Sequence, residues 1–228
     1  MKKLFLGASL IGCSLFYAQE STPSKTSNPI TFGVKGGLNV STISTSYNYE
    51  DSKPKVGFNA GVFANIPIAS KFSIQPELSY NRVGSKTETD ARYDVPGTVV
   101  RMKSTGSVSL GYLSLPVMLQ YNLLPNLYLE AGPEFGLLLD GKIKDEWTET
   151  RTYGNNISTS SNSSDRKINK DFYNKFNMGI GIGAGYFFTS NFGVTARFTA
   201  GLTDIYKYND GDAARNNTFQ VGVAYKFK

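Results

Sequence analysis

Apolar residues fall on every second position along most of this 228-residue chain, with glycine or polar residues between them. In Phe219-Gln220-Val221-Gly222-Val223-Ala224-Tyr225-Lys226-Phe227 the odd positions are apolar and the even ones small or polar, and Phe192 to Leu202 alternates in the same way. A period of two marks a strand with two unlike faces. Here the apolar face recurs in strand after strand while the other is rich in glycine and charge. That pattern predicts a closed barrel with lipid outside and a polar interior.

The alternation places strands near 31–42, 56–68, 71–83, 106–123, 126–140, 172–188, 191–204 and 216–227. Ala69-Ser70, Leu124-Pro125 and Thr189-Ser190 are tight turns, and the intervening connections are long and polar. An even strand number with alternating short and long connections predicts an all-β fold over residues 31–228. The expected form is an eight-stranded antiparallel up-and-down transmembrane β-barrel in the bacterial outer membrane. Its short turns and both termini are expected on the periplasmic side, its long loops outside. Pro96-Gly97 lies between two β-prone runs and predicts a turn, so strands three and four are expected to project beyond the membrane. Strand five is expected to continue through Lys142 to Arg151. The Asn/Ser-rich tip, Gly154 to Ser164, is expected to be mobile, and Asn209-Asp210-Gly211 to turn the last loop.

The expected outward face carries Phe32, Val34, Leu38, Val40, Phe58, Val62, Leu78, Leu115, Leu119, Leu129, Ile180, Ile182, Val194, Phe198, Val221 and Tyr225, with no charge among them. A charge on that face at the bilayer midplane costs about 2–4 kcal/mol. The opposite face holds Lys35, Gln75, Glu77, Gln120, Glu130, Glu134, Lys175, Arg197 and Lys226. Eight strands enclose a space that side chains fill, and enclosed charges must be paired. The expected result is a structural charge network of Lys35, Glu77, Glu130, Glu134, Arg197 and Lys226, with Gly179, Gly181, Gly183 and Gly185 leaving room for the long side chains. Glu130 and Glu134, four apart on one strand, lie roughly 13 Å apart, too far to share a reaction.

The start of the chain changes the picture of its address. Met1-Lys2-Lys3, an apolar stretch from Leu4 to Phe16 and the small Ala18 read as a secretory signal peptide over residues 1–18. Leu10-Ile11-Gly12-Cys13 also fits a lipobox, which would make Cys13 an acylated N-terminus. Cleavage at Ala18 instead removes the one cysteine. Residues 19–30 read as a disordered periplasmic lead-in.

Composition adds little chemistry. The 24 basic and 18 acidic residues form no basic stripe, so no nucleic-acid partner is expected. The chain has no histidine, the usual base in barrel hydrolases, and no motif marks a catalytic, cofactor or metal site. Gly179-x-Gly181-x-Gly183-x-Gly185 is a strand stripped to hydrogen on one face, not a phosphate loop. Asp204, Asp210 and Asp212 do not match a calcium loop.

Phe32-Gly33-Val34-Lys35-Gly36-Gly37-Leu38-Asn39, Gln75-Pro76-Glu77-Leu78-Ser79-Tyr80, Tyr112-Leu113-Ser114-Leu115-Pro116-Val117 and Ala131-Gly132-Pro133-Glu134-Phe135-Gly136 resemble the hallmarks of the PorT-type outer-membrane barrels, often labelled "porin family". The resemblance implies the fold over the whole mature chain and carries no activity residue by residue. Wide aqueous pores appear at about 16 strands, so the expectation is a non-enzymatic barrel that contacts lipid and, through its loops, an extracellular or envelope protein. Tyr47, Tyr49, Tyr93, Trp147, Tyr153, Tyr206 and Tyr208 are available for that contact, or else form an outer aromatic girdle. The competing readings are a narrow channel or small-solute transport barrel, and a soluble ligand-binding barrel with the two faces exchanged.

Overall fold

The computed structural model describes residues 29–44, 52–208 and 213–227. The signal-peptide segment, Cys13, nearly all of the lead-in, Tyr47, Tyr49 and Asn209-Asp210-Gly211 lie outside the described residues. Nine strands run in chain order: β1 (Thr31–Ser44), β2 (Ser52–Pro67), β3 (Phe72–Val95), β4 (Thr98–Leu124), β5 (Leu127–Tyr153), β6 (Asn156–Lys167), β7 (Phe176–Phe187), β8 (Phe192–Gly201) and β9 (Arg215–Lys226). Eight of them close a ring in the order β1-β2-β3-β4-β5-β7-β8-β9, sealed by antiparallel pairing of β1 with β9. The three tight turns lie at one end, and Thr31 and Lys226 reach that same end, since Thr31 pairs opposite Asn65 and Gly33 opposite Lys226.

The alternation has the sidedness that the sequence predicts. Leu38 is 62% exposed and Ile182 59%, on the outside, while Glu77 and Arg197 are 2% and 3% exposed, inside. Aromatic pairs mark both rims of the apolar band. Phe72–Tyr121 and Tyr225–Phe227 lie at the turn end, with ring centroids 5.1 and 5.8 Å apart. Phe58–Tyr80 and Phe135–Phe176 lie toward the other end, at 5.9 and 6.2 Å. Phe72 and Tyr80 are eight residues apart on β3. At the usual rise and tilt the rims are then roughly 20 Å apart, close to the apolar band of a membrane barrel.

Three features depart from the expected strands. First, Asn156–Lys167 is a strand, not a mobile tip: β6 turns back at Gly154 (φ +53°) and pairs with Lys142–Tyr153 of β5 outside the ring. The extended half of β5 offers it a complete ladder, which outweighs the weak strand preference of Asn and Ser. Second, β3, β4 and β5 are 24, 27 and 27 residues long, where a crossing needs about 9–11. Their upper halves and β6 form a four-stranded projecting sheet, and Gly97 (φ +78°) turns the β3–β4 hairpin as Pro96-Gly97 predicts. Third, the chain leaves the wall before β7 and after β8. Lys175 is therefore exposed ahead of β7 rather than on the inner face, with its carbonyl accepting from Leu138 N at 2.7 Å.

Candidate functional site

The lumen is filled in layers. At the turn end Phe63, Tyr128, Phe187 and Ala224 pack into an apolar floor. One layer up, Arg197 on β8 is the hub. Its Nη1 and Nη2 donate to the two oxygens of Glu77 on β3 at 2.9 and 2.7 Å, a bidentate fork. Its Nε donates to Glu130 on β5 at 2.7 Å. Lys35 Nζ on β1 donates to both Glu77 oxygens at 3.0 and 2.8 Å. Four strands are thus tied across the lumen. Uncharged groups complete the shell: Gln75 Nε2 donates to Glu77 at 2.9 Å and Gln120 Nε2 to Glu130 at 3.1 Å. Asn65 Nδ2 donates to Gln120 Oε1 at 2.8 Å. Glycine makes the room, since a Cβ on Gly183 would lie 3.0 Å from Glu130 Oε1.

Glu134 stands one layer higher and outside the ion cluster. Thr199 Oγ1 donates to it at 3.0 Å and Asn81 Nδ2 at 3.3 Å. Above it the lumen is apolar. Ile43, Val83, Leu110, Tyr112, Leu138, Ile168, Tyr173, Ile205 and Ala214 form a plug, with Leu110 fully buried and Ile205 1% exposed. The segments that leave the wall supply part of it. Asn174 Nδ2 donates to the carbonyls of Asp204 and Tyr206 at 2.9 and 3.0 Å and pins one segment to the other.

Of the six lumenal residues expected in one network, the structure brings Lys35, Glu77, Glu130 and Arg197 into direct contact. Glu134 is reached by hydrogen bonds alone. Lys226 is not brought in: its Nζ lies 3.8 Å over the Phe187 ring, at the floor, because β9 has reached the turn end by that residue. Two features escape the alternation. The amide hub Asn65 has no charge to draw notice. The plug has a visible cue, since Leu137-Leu138-Leu139 is apolar on both faces.

The projecting sheet is two-faced. A bulge that sets Tyr112 against Leu138 and Gly111 against Asp140 shifts the parity of β5 at Leu139. Trp147 and Tyr153 then join Tyr93, Val100 and Met102 on the face continuous with the lumen wall. Tyr93, Trp147 and Tyr153 are 54%, 41% and 65% exposed. The aromatic face also carries the ion pairs Arg151–Glu149 and Arg166–Asp145. The other face is charged and paired: Arg101 forks onto Asp90 at 3.1 and 2.7 Å, Lys142 reaches Asp165 at 2.5 Å, and Lys53 pairs with Glu88. Of the other aromatic residues considered for contact, Tyr206 packs at a tilt against Tyr173 in the plug and Tyr208 is exposed.

A family model described as an outer membrane protein beta-barrel domain matches residues 17–207. The chain belongs to this family. Its outer-membrane barrel crosses the membrane with strands, and the apolar band described above faces lipid. No curated protein matches it. Among solved structures this family member is similar to Neisserial surface protein A, at 16% identity over 88% of this chain and all of the other, with a TM-score of 0.44. It is also similar to Ail, the attachment invasion locus protein of Yersinia pestis, solved with the heparin analogue sucrose octasulfate. There the identity is 13% over 88% of this chain and all of the other, with a TM-score of 0.43. A third likeness is OprG from Pseudomonas aeruginosa, 10% identical over 86% of this chain and 95% of the other, with a TM-score of 0.33.

Proposed function

We propose that this outer-membrane barrel is a non-enzymatic contact protein that holds its projecting sheet outward to bind an extracellular or envelope partner. On this reading the turn end and both termini face the periplasm, and the chain falls with the PorT-type barrels that its Gly-Pro-Glu and Gln-Pro-Glu segments resemble. The observation that carries the reading is the sheet of β3, β4, β5 and β6, extended about a dozen residues past the wall with Tyr93, Met102, Trp147 and Tyr153 on one exposed face. Aromatic residues are enriched where proteins meet partners. The layered lumen supports the same reading against a channel, since the inward-facing Arg197, Met118 and Leu110 are enclosed within it at 3% exposure or less.

The test displays the chain on cells beside a variant in which Tyr93, Trp147 and Tyr153 are all changed to Ser. Attachment to immobilised matrix proteins, glycans and neighbouring cells is compared. Attachment that needs the three aromatics is the expected result. Equal attachment by both, or steady conductance of the purified barrel in a planar bilayer, would overturn the reading.

A further inference from the structure

Between the ion cluster and the plug, the wall leaves a small chamber lined by Asn81, Tyr112, Glu134, Asn177, Thr199 and Asn216, among others. It offers about 30 Å³ to the centres of small occupants, where ~10–15 Å³ suffices for one water. Four polar atoms of its lining residues have no hydrogen-bond partner: Asn81 Oδ1, Tyr112 OH, Asn177 Nδ2 and Asn216 Oδ1. Asn81 and Tyr112 are each only 4% exposed. Buried polar groups are otherwise nearly always satisfied, so this convergence calls for an occupant.

Charge identifies its sign. Arg197 and Lys35 face three carboxylates in the middle of the lumen, Glu77, Glu130 and Glu134. The two cations are engaged by Glu77 and Glu130. Lys226 lies at the floor over Phe187. Glu134 is half-buried, with hydrogen bonds but no direct ion pair among the described residues, and a carboxylate drawn partly out of water gains from a counter-charge in contact with it. Its two accepted bonds leave about two lone-pair sites free.

We propose that the chamber binds one monovalent metal cation, sodium or potassium. Its oxygen ligands are Glu134, Asn81 Oδ1, Asn216 Oδ1 and the Tyr112 hydroxyl, with a water held by Asn177 Nδ2. A single positive charge balances the middle of the lumen. A divalent ion would overshoot, and hard divalent ions gather several carboxylates. Among the described residues no three His, Cys, Asp or Glu side chains are placed to hold one metal ion together. The ion joins β3, β4, β5 and β9 above the level at which Arg197 joins its neighbours.

The purified barrel is unfolded by heat in sodium, potassium or choline chloride at equal ionic strength and pH. The expected result is a midpoint about 2–4 °C higher in one of the alkali salts, saturating with concentration. Glu134→Gln is expected to abolish the difference, and Glu88→Gln, an exposed carboxylate on the projecting sheet, to keep it. Equal midpoints in all three salts, or an undiminished difference in Glu134→Gln, would sink the proposal. Should Glu134→Gln fail to fold, crystals of the unaltered chain soaked in rubidium chloride decide the matter. An anomalous peak within about 3 Å of the Glu134 carboxylate supports the site, and solvent-only density there refutes it.

Discussion

Arg197 shows how one side chain sets the character of the lumen. It donates to Glu77 and Glu130 at once, and Lys35 shares Glu77. Removing a partner from a buried ion pair leaves the rest uncompensated at a cost of about 3–5 kcal/mol. Arg197→Ala is therefore expected to lower markedly the temperature at which the folded gel form converts to the unfolded one. Changing Lys35, Glu77, Glu130 and Arg197 together to Met, so that no member of the cluster is left unpaired, is expected to recover part of the loss. In the plug, Leu110→Ala is expected to cost about 2–5 kcal/mol by denaturant titration, since Leu110 is fully enclosed. The ion cluster was legible in the sequence because parity alone sends Lys35, Glu77, Glu130 and Arg197 to one side. The partners of Glu134 and Lys226 were not, because parity fixes the face and not the height at which two strands meet.

At the scale of elements, the projecting sheet depends on charge in a way the barrel wall does not. On its charged face hydrogen bonds from Lys53, Arg101 and Lys142 hold the carboxyls of Glu88, Asp90 and Asp165 below their ordinary values of 4.5, 3.8 and 3.8. A carboxyl depressed by folding contributes stability above its unfolded pKa and loses it as pH falls through the folded value. Acidification below about pH 4 is therefore expected to speed amide exchange in β6 and the upper half of β3 first. The lower halves of β3 and β5 are expected to stay protected, and hydrogen exchange with mass spectrometry reads the order. The sheet was half legible. Pro96-Gly97 and the run from Lys142 to Arg151 announced a projecting hairpin. β6 hid because twelve residues, all exposed, need no alternation, and Trp147 changed faces at a bulge that no residue type marks.

For the whole molecule, the floor, ion cluster and plug are three separate barriers along one axis. Changing Ile168 and Ile205 to Ser is expected to loosen the outer mouth without conductance in a planar bilayer. Replacing Arg197, Glu77 and Glu130 with Gly in that background is expected to leave the floor as the last barrier, and ion passage is expected once Tyr128 and Phe187 are changed to Gly as well. The ring itself was legible because eight alternating segments and three tight turns leave little other topology. The plug was only partly legible: Leu138 betrays it, but Ile168, Tyr173, Ile205 and Ala214 come from segments that leave the strand pattern. The pairing of β1 with β9 has a further consequence, for biogenesis. The first strand stays an open edge until the last residues of the chain arrive, so the contact that completes the molecule has nearly the greatest sequence separation available to it. Contacts of that kind make folding slow and leave unpaired edges exposed meanwhile. Assembly must then finish in one concerted event at the C-terminus. A chain truncated before Arg215 should persist only as an open, protease-sensitive sheet, never as a smaller barrel.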